Sequence, residues 1–229
     1  MGLTRLQLRT ARAFVLVFLA LVFPTVAAPR RGSAHVKTIL IFGDSLSDGF
    51  RLSRSQAYPA LLAKKLGAIG LDYDVINASV SGGTTAGGLE RIAAQLTRPI
   101  DIFILELGIN DAFRGVSVPE IRENLQTLID RVKAKNPNVR VIVVGMQLPN
   151  YSTDDFIRAF GQMYFDLATK NHAGLVPYLL EGVGGNPELS LPDLIHPNAA
   201  GHKILTENVW RVLEPIAKET SAGPARNVQ

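Results

Sequence analysis

Residues 36–49 read VKTILIFGDSLSDG, an apolar run that ends at a glycine and continues directly into Asp44 and Ser45. The interior of the run is continuously apolar, which is typical of a strand that is covered on both faces of a parallel sheet. A glycine followed by small polar residues indicates a turn at the carboxyl end of this strand. Ligand sites in open parallel sheets lie beyond the carboxyl ends of the strands. We therefore search for functional groups in this turn and in its equivalents further along the chain.

Short apolar runs alternate with longer amphipathic segments through the rest of the chain. The predicted strands are 36–42, 73–76, 100–107, 139–145 and 175–179, and the predicted helices are 58–66, 86–96, 119–135, 153–171 and 198–218. This alternation predicts an α/β fold, a single three-layer α/β/α domain over residues 36–218 with a mainly parallel five-stranded sheet. Ser117 and Asn198 are the expected N-caps of two of the helices. Residues 219–229 are expected to form a C-terminal tail.

The composition removes several classes of function. The 229 residues include no cysteine, which excludes thiol nucleophiles and iron–sulfur clusters. The net charge is +4, but three of the 24 basic residues lie in the first 28, and without them 21 basic residues face 20 acidic ones. Because these basic and acidic charges nearly cancel, the chain carries no electrostatic signature of nucleic-acid binding.

Residues 1–28 have the three-part organisation of a secretory signal peptide. Positive charge alone occurs in residues 1–12, an apolar run covers 13–23, and small residues follow Pro24. The run is shorter than the ~20 residues that span a bilayer as a helix, although a retained membrane anchor stays an alternative. Pro29 would obstruct cleavage directly after Ala28, so a cut before Ala28 or after Ala34 is the alternative. We expect export to the periplasm or the medium.

Ser45 and an Asp-x-x-His segment form the strongest chemical pattern. Ser45 follows a glycine turn at the end of a strand, where the geometry suits an exposed nucleophile, although a helix-capping or phosphate-loop serine is the alternative. Asp193 lies three residues before His196, and a carboxylate there can orient an imidazole that takes the proton of Ser45. Alone, the Asp-x-x-His segment is equally consistent with a surface loop. The order Ser, Asp, His favours the catalytic interpretation.

Two further loops offer donors for an oxyanion. Gly82 can present an unshielded backbone N–H after the second strand, and Asn110 can donate from its side chain after the third. A turn or helix start for Gly82, and a turn or cap for Asn110, are the simpler interpretations. The presence of all four loops, those of Ser45, Gly82, Asn110 and His196, in one chain favours acyl transfer.

With these motifs the sequence resembles the SGNH (GDSL-type) hydrolases. The strings GDSLSDGF (43–50), NASVSG (77–82), LELGINDAFRG (105–115), LPNY (148–151) and DLIHPN (193–198) look like those of the bacterial acyl-CoA thioesterase I, lysophospholipase and arylesterase branch. The likeness extends roughly over residues 38–215 and implies the flavodoxin-like form of the fold. Absence of a G-x-S-x-G string separates the chain from the α/β-hydrolases.

Carried over residue by residue, the resemblance implies Ser45 as nucleophile, His196 as base and Asp193 as its orienting partner. It implies an oxyanion hole formed by the N–H groups of Ser45 and Gly82 and the side chain of Asn110. Ile109 departs from the pattern, because close relatives carry a second glycine there, and we expect this to affect substrate contact more than chemistry.

The expected substrate is an acyl ester, such as a lysophospholipid, an aryl ester or another carboxylic ester, with acyl thioesters as a further option. Apolar residues in and beside these loops are expected to bind an acyl chain, namely Leu46, Ile109, Phe113, Leu148, Pro149, Leu194 and Ile195. No metal or cofactor is needed. We expect a monomer that contacts membranes only through its N-terminal segment or its lipid substrate.

Other functions are compatible with parts of the pattern. A deacetylase of acetylated glycans would need stacking aromatic residues, and the chain has one tryptophan, Trp210. A non-catalytic lipid-binding protein would be expected to lack a motif residue, and a phosphate-ester hydrolase would need metal ligands or an arginine cluster. Asp44 and Asp111 are expected to brace loops or cap helices, and His35, His172 and His202 to be structural or exposed.

Overall fold

A five-stranded parallel sheet forms the middle layer of the fold. The computed structural model of the protein describes residues 36–148 and 153–223. The strands are β1 (Lys37–Gly43), β2 (Tyr73–Asn77), β3 (Ile102–Glu106), β4 (Arg140–Val144) and β5 (Gly174–Val176). They lie in the order β2-β1-β3-β4-β5, and each neighbouring pair is parallel. The predicted fold class is confirmed.

Helices cover the sheet in two layers, because β1, β3 and β4 are apolar on both faces. The helices are α1 (Ser45–Asp48), α2 (Tyr58–Ala68), α3 (Thr85–Gln95), α4 (Ile109–Phe113), α5 (Val118–Lys135), α6 (Asp154–Asn171) and α7 (Ala199–Ala222), with a 3-10 turn at Arg54–Gln56. Helix α2 packs against α7, whereas α5 packs against both α3 and α6. The described residues all belong to one compact unit.

Local capping signals located the long helices well. Ser117 accepts a hydrogen bond from the backbone N–H of Glu120, and Asn198 accepts from those of Ala200 and Gly201, so both predicted N-caps are confirmed. Helix α7 ends at Ala222, so residues 219–222 belong to the helix rather than to the expected tail. The short helices α1 and α4 were not predicted, because each is less than two turns long and has no apolar periodicity.

The ends of the strands were predicted less well. The predicted fifth strand ran to Leu179, but β5 ends at Val176 and the chain continues as a loop. The third strand was also predicted too long, at 100–107 instead of Ile102–Glu106. An apolar run continues past a strand wherever the following loop is buried, so hydrophobicity alone does not mark where the ladder stops.

The order in which strands are added to the sheet reverses between β1 and β3. The chain leaves β1 for β2 on one side and returns to β3 on the other, which is the switch point where open α/β sheets bind ligands. Gly43 at the end of β1 is paired in register with Glu106 at the end of β3. The loops that carry Ser45 and Asn110 therefore start side by side.

Two glycines make this junction possible. A Cβ on Gly43 would lie 2.5 Å from Glu106 Oε2 and 2.6 Å from Ser47 Oγ. Gly108 has a φ of 123°, and a Cβ there would lie 2.6 Å from the Tyr164 hydroxyl. Any larger side chain at either position would displace the loop that follows its strand.

The predicted signal peptide, residues 1–28, lies outside the described residues, as does His35. Within residues 36–148 and 153–223, the helices are too short or too polar to cross a bilayer.

Candidate active site

Ser45 is the first residue of α1, directly beyond the carboxyl end of β1. Asp44 caps this helix, with its Oδ1 atom accepting a hydrogen bond from the Leu46 N–H at 3.0 Å. This cap holds α1 in a single orientation relative to the sheet. The Ser45 residue is 9% exposed, so its hydroxyl lies at the base of a depression rather than on the surface.

His196 links Ser45 to Asp193. The imidazole Nε2 atom lies 3.0 Å from Ser45 Oγ, and Nδ1 lies 2.9 Å from Asp193 Oδ2. The structure thus brings together the serine, histidine and aspartate that the sequence singled out, across 151 residues of chain. Both contacts are hydrogen-bond distances, so a proton can pass from the hydroxyl to the imidazole.

Both oxygens of the Asp193 carboxylate take part in hydrogen bonds. Its Oδ1 atom accepts hydrogen bonds from the backbone N–H groups of Ile195 and His196, both at 3.0 Å. These bonds lower the pKa of Asp193 to about 2, and the bond from the His196 N–H has the largest effect. Phe50 packs on the imidazole with 4.4 Å between the ring centres. Asp193 and Phe50 together restrict the rotation of His196.

Asn110 lies on α4, beyond the end of β3. Its Nδ2 atom donates to Asp44 Oδ2 and to the Gly83 carbonyl, each at 3.1 Å. The amide therefore lies beside the loop that carries Ser45, and it lines the same cavity as Ser45 and His196. Asp44 thus connects the cap of α1 to the position of the Asn110 side chain.

Gly82 adopts a φ of 75° in the loop after β2. Its carbonyl accepts a hydrogen bond from Arg114 at 3.2 Å. Within the described part of the chain, the N–H groups of Gly82 and Ser45 donate to no protein acceptor. A backbone donor without a partner remains available to a ligand. Gly82 does not line the cavity itself.

A pair of buried carboxyl groups, Asp44 and Glu106, lies behind the loop that carries Ser45, and the sequence did not reveal it. Glu106 Oε2 accepts from the Asp44 N–H at 3.2 Å and from Ser47 Oγ at 2.7 Å, and Ser47 also contacts the Tyr58 hydroxyl. Burial and the neighbouring Asp44 carboxylate raise the pKa of Glu106 well above its usual range. Burial also raises the pKa of Asp44 to about 6. Burial thus favours the neutral form of both carboxyl groups.

The simpler roles assigned to nearby polar residues are confirmed. Asp111 accepts from the N–H and the hydroxyl of Thr85 and thereby braces the start of α3. His202 is buried and accepts from the Tyr58 N–H at 3.1 Å, whereas His172 is exposed at the end of α6. No group of three or more metal-binding side chains occurs among the described residues.

An apolar cavity of about 620 Å³ opens above Ser45. Besides Ser45, Asn110 and His196, six apolar residues named from the sequence line it: Leu46, Ile109, Phe113, Leu148, Leu194 and Ile195. Pro149, also predicted, lies outside the described residues. The remaining wall was not predicted and consists of Met146, Gln147, Tyr178, Leu180, Gly184 and Gly185. The last four follow β5; Tyr178 lies in the stretch predicted as strand, and no motif marks the other three.

Residues 41–204 match the model of the GDSL-like lipase/acylhydrolase family. The chain is 40% identical to Esterase TesA of Pseudomonas aeruginosa over 80% of this chain and 90% of the relative. It is 34% identical to thioesterase 1/protease 1/lysophospholipase L1 of Escherichia coli over 90% of this chain and 95% of the relative. The crystal structure of TesA superposes with a TM-score of 0.75, at 40% identity, over 79% of this chain and 99% of the other. The chain therefore belongs to the GDSL-like lipase/acylhydrolase (SGNH) family and is a carboxylic ester hydrolase.

Proposed function

We propose that the protein is an exported serine esterase that cleaves esters of extended apolar acyl chains through a covalent acyl-enzyme. The observation that carries the proposal is the continuous relay from Asp193 through His196 to Ser45, set at the base of an apolar cavity. Family membership supports ester hydrolysis in general. The cavity lining favours a lipid-like acyl group over a sugar.

Ser45 attacks the acyl carbonyl as His196 accepts its proton at Nε2. Asp193 accepts a hydrogen bond from Nδ1–H, which selects the tautomer with a free Nε2 and stabilises the imidazolium. His196 then protonates the departing alcohol or thiol. Water attacks the acyl-enzyme with the same groups in reversed order, and the carboxylic acid is released.

The negative charge on the tetrahedral oxygen needs donors that are already oriented. We assign them to the N–H groups of Ser45 and Gly82 and to the Asn110 amide. The two N–H groups have no protein acceptor in the described residues, and the amide is positioned by Asp44. An amide hydrogen of Asn110 can turn to the oxyanion by giving up its bond to the Gly83 carbonyl.

The test compares the wild-type protein with Ser45→Ala on p-nitrophenyl esters from acetate to palmitate. We expect Ser45→Ala to lose nearly all turnover, and wild-type kcat/KM to rise with chain length until the cavity is filled. Ser55→Ala, at an exposed serine of the 3-10 turn, is the matched control and should behave as wild type. A fluorophosphonate should add its mass to the wild type and to Ser55→Ala only. Retained activity in Ser45→Ala would refute the assignment.

The same ladder separates the alternative functions. A glycan deacetylase would cleave acetate best and fail on octanoate, and a binding protein without turnover would cleave none of the esters. Trp210, the aromatic residue best suited to stack on a sugar, is buried on α7 instead of lining the cavity. Because the relay and the cavity are built within one chain, we infer a functional monomer, which sedimentation can test.

Export is proposed from residues 1–28. Amino-terminal sequencing of the protein from the periplasm or medium should show a new terminus between Ala28 and His35. An intact terminus in the membrane fraction would instead identify the segment as an anchor.

A further inference from the structure

Leu194 has a backbone conformation that favours glycine. Its φ is 58°, and only Arg51 and His172 share a positive φ among the non-glycine residues that the structure describes. A leucine in this left-handed region brings Cβ too close to the backbone, which destabilises the folded state. His172 has an ordinary reason for its conformation, because it terminates α6. Leu194 does not end a long helix.

The hydrogen bonds of Asp193 explain the backbone of Leu194 but not its side chain. Asp193 Oδ1 binds the N–H groups of residues 195 and 196, so the chain must turn sharply directly after Asp193. The turn is also closed by a bond from the Leu194 N–H to the Leu191 carbonyl at 2.9 Å. Glycine would meet these requirements without strain. The leucine side chain therefore needs a separate explanation.

Burial does not supply that explanation. Leu194 is 56% exposed, so its side chain gains little from the protein core. It lies instead at the opening of the cavity together with Phe113 and Ile195, which are 50% and 56% exposed. We call these three residues the cavity lip. Of seven large apolar residues that are strongly exposed in the described part of the chain, three form this lip.

We propose that Leu194 is a specificity-determining residue whose side chain contacts the acyl chain of the substrate where that chain leaves the cavity. The inference rests on the proposed function and deepens it. An acyl chain that extends from Ser45 to the cavity lip would cover the exposed face of Leu194, and removing that apolar surface from water favours the longer ester. The conformational strain at Leu194 is then offset in the substrate complex rather than in the free protein.

Two substitutions separate the effect of the Leu194 side chain from the effect of its backbone strain. Leu194→Ala removes the side chain and keeps a Cβ in the left-handed conformation, whereas Leu194→Gly removes both. His172→Gly is the matched control, because it relieves the same strain at an exposed residue that does not line the cavity. The substrates are p-nitrophenyl octanoate and acetate, both below the concentration at which they aggregate. The readout is the ratio of their kcat/KM values within each variant.

We expect both Leu194 variants to lower the octanoate-to-acetate ratio by about tenfold, as for the loss of one half-buried leucine contact. Leu194→Gly should have a thermal midpoint equal to or above that of Leu194→Ala. His172→Gly should keep the wild-type ratio. A second series, acetate esters of alcohols of increasing length, should respond equally in wild type and in both Leu194 variants.

Several results would overturn the proposal. The first is an unchanged ratio in both Leu194 variants, and the second is a fall in Leu194→Gly alone, which would indicate backbone flexibility. A response in the alcohol series would place the leaving group at the lip. An effect that occurs only with micelles or vesicles would indicate docking on a lipid surface. Failure of the proposed function is distinguishable, because it appears as acetate hydrolysis retained by Ser45→Ala.

Discussion

Single polar contacts control the reactivity of the site. Asp193 has a lowered pKa because two backbone N–H groups and the imidazole all bind its ionised form. In the proposed mechanism it fixes the tautomer of His196, which requires an acceptor at Oδ2. Asparagine would keep the acceptor for the backbone but would present an N–H to Nδ1.

Asp193→Asn should therefore lower kcat on the order of 10⁴-fold, because the imidazole then exposes N–H instead of a basic nitrogen to Ser45. Thermal unfolding should change little, since the backbone bonds remain. Asp74→Asn, at an exposed carboxylate paired with Arg98 at the surface, is the control for loss of one charge. If Asp193→Asn kept a tenth of the wild-type rate, Asp193 would not be the orienting partner.

At the scale of elements, the start of α7 anchors the chain next to His196. Asn198 accepts from the N–H groups of Ala200 and Gly201 and donates to the carbonyls of Glu188 and Ser190. One side chain thereby caps the helix and fastens the preceding loop. Since His196 lies two residues before this cap, helix stability and imidazole position are coupled.

Asn198→Ala should destabilise the protein by about 2 kcal/mol, the sum of a lost cap and lost loop bonds. It should also lower kcat, because His196 loses its anchored neighbour. Ser117→Ala removes the cap of α5 and should cost about 1 kcal/mol while leaving kcat unchanged. Chemical denaturation and initial rates measure both quantities. Equal kcat values for the two variants would show that the cap of α7 does not position His196.

Helices α7 and α2 are joined by His202, which accepts a hydrogen bond from the first N–H of α2. Burial lowers the pKa of His202 to about 4 from an ordinary value of 6.5. The unfolded chain therefore binds the proton more readily, and the stability due to neutral His202 is lost as pH falls from 6.5 through 4. The full loss amounts to about 3 kcal/mol.

His202→Asn keeps an acceptor near Nδ1 and cannot be protonated. Its free energy of unfolding should fall less steeply than that of wild type between pH 6.5 and 4. His172→Asn, at the exposed end of α6, should retain the wild-type slope. Parallel profiles of wild type and His202→Asn would contradict the burial argument.

At the scale of the whole molecule, the buried pair of Asp44 and Glu106 joins the two central strands behind the active site. Because burial raises the pKa of Glu106, the folded protein holds a proton that the unfolded chain releases. Its contribution to stability is complete below the unfolded pKa of about 4.5 and is lost as pH rises toward the folded pKa. Asp44 acts in the same direction between 3.8 and about 6. His202 opposes both groups in this pH range.

Glu106→Gln replaces the protonated acid with a neutral isostere. Relative to wild type, its free energy of unfolding should increase by about 1.4 kcal/mol per pH unit above pH 4.5, until the folded pKa of Glu106 is reached. Glu123→Gln, on the exposed face of α5, should follow wild type. Denaturation from pH 4 to pH 8 tests this. A difference that stayed constant across that range would show that Glu106 is ionised in the folded protein.

Sequence alone determined the fold class, the long helices and the residues of the relay. These features have local causes: apolar periodicity, capping side chains, and residue types that acyl-transfer chemistry requires at the ends of strands. The same local signals predicted the roles of Asp111 and of the Asn198 cap. They failed at the ends of β3 and β5, because a ladder stops where its partner strand stops.

Only the tertiary structure showed which side chains distant segments bury and which segments line the cavity. The burial of Glu106 beside Asp44 depends on the register of β1 with β3, and the cavity wall at Tyr178 and Leu180 depends on where β5 ends. The left-handed conformation of Leu194 depends on two hydrogen bonds to Asp193. Burial and register arise from packing between segments far apart in the chain, so no local pattern of residues encodes them. The strain at Leu194 has a local cause, but it becomes visible only once the folded backbone of this turn is known.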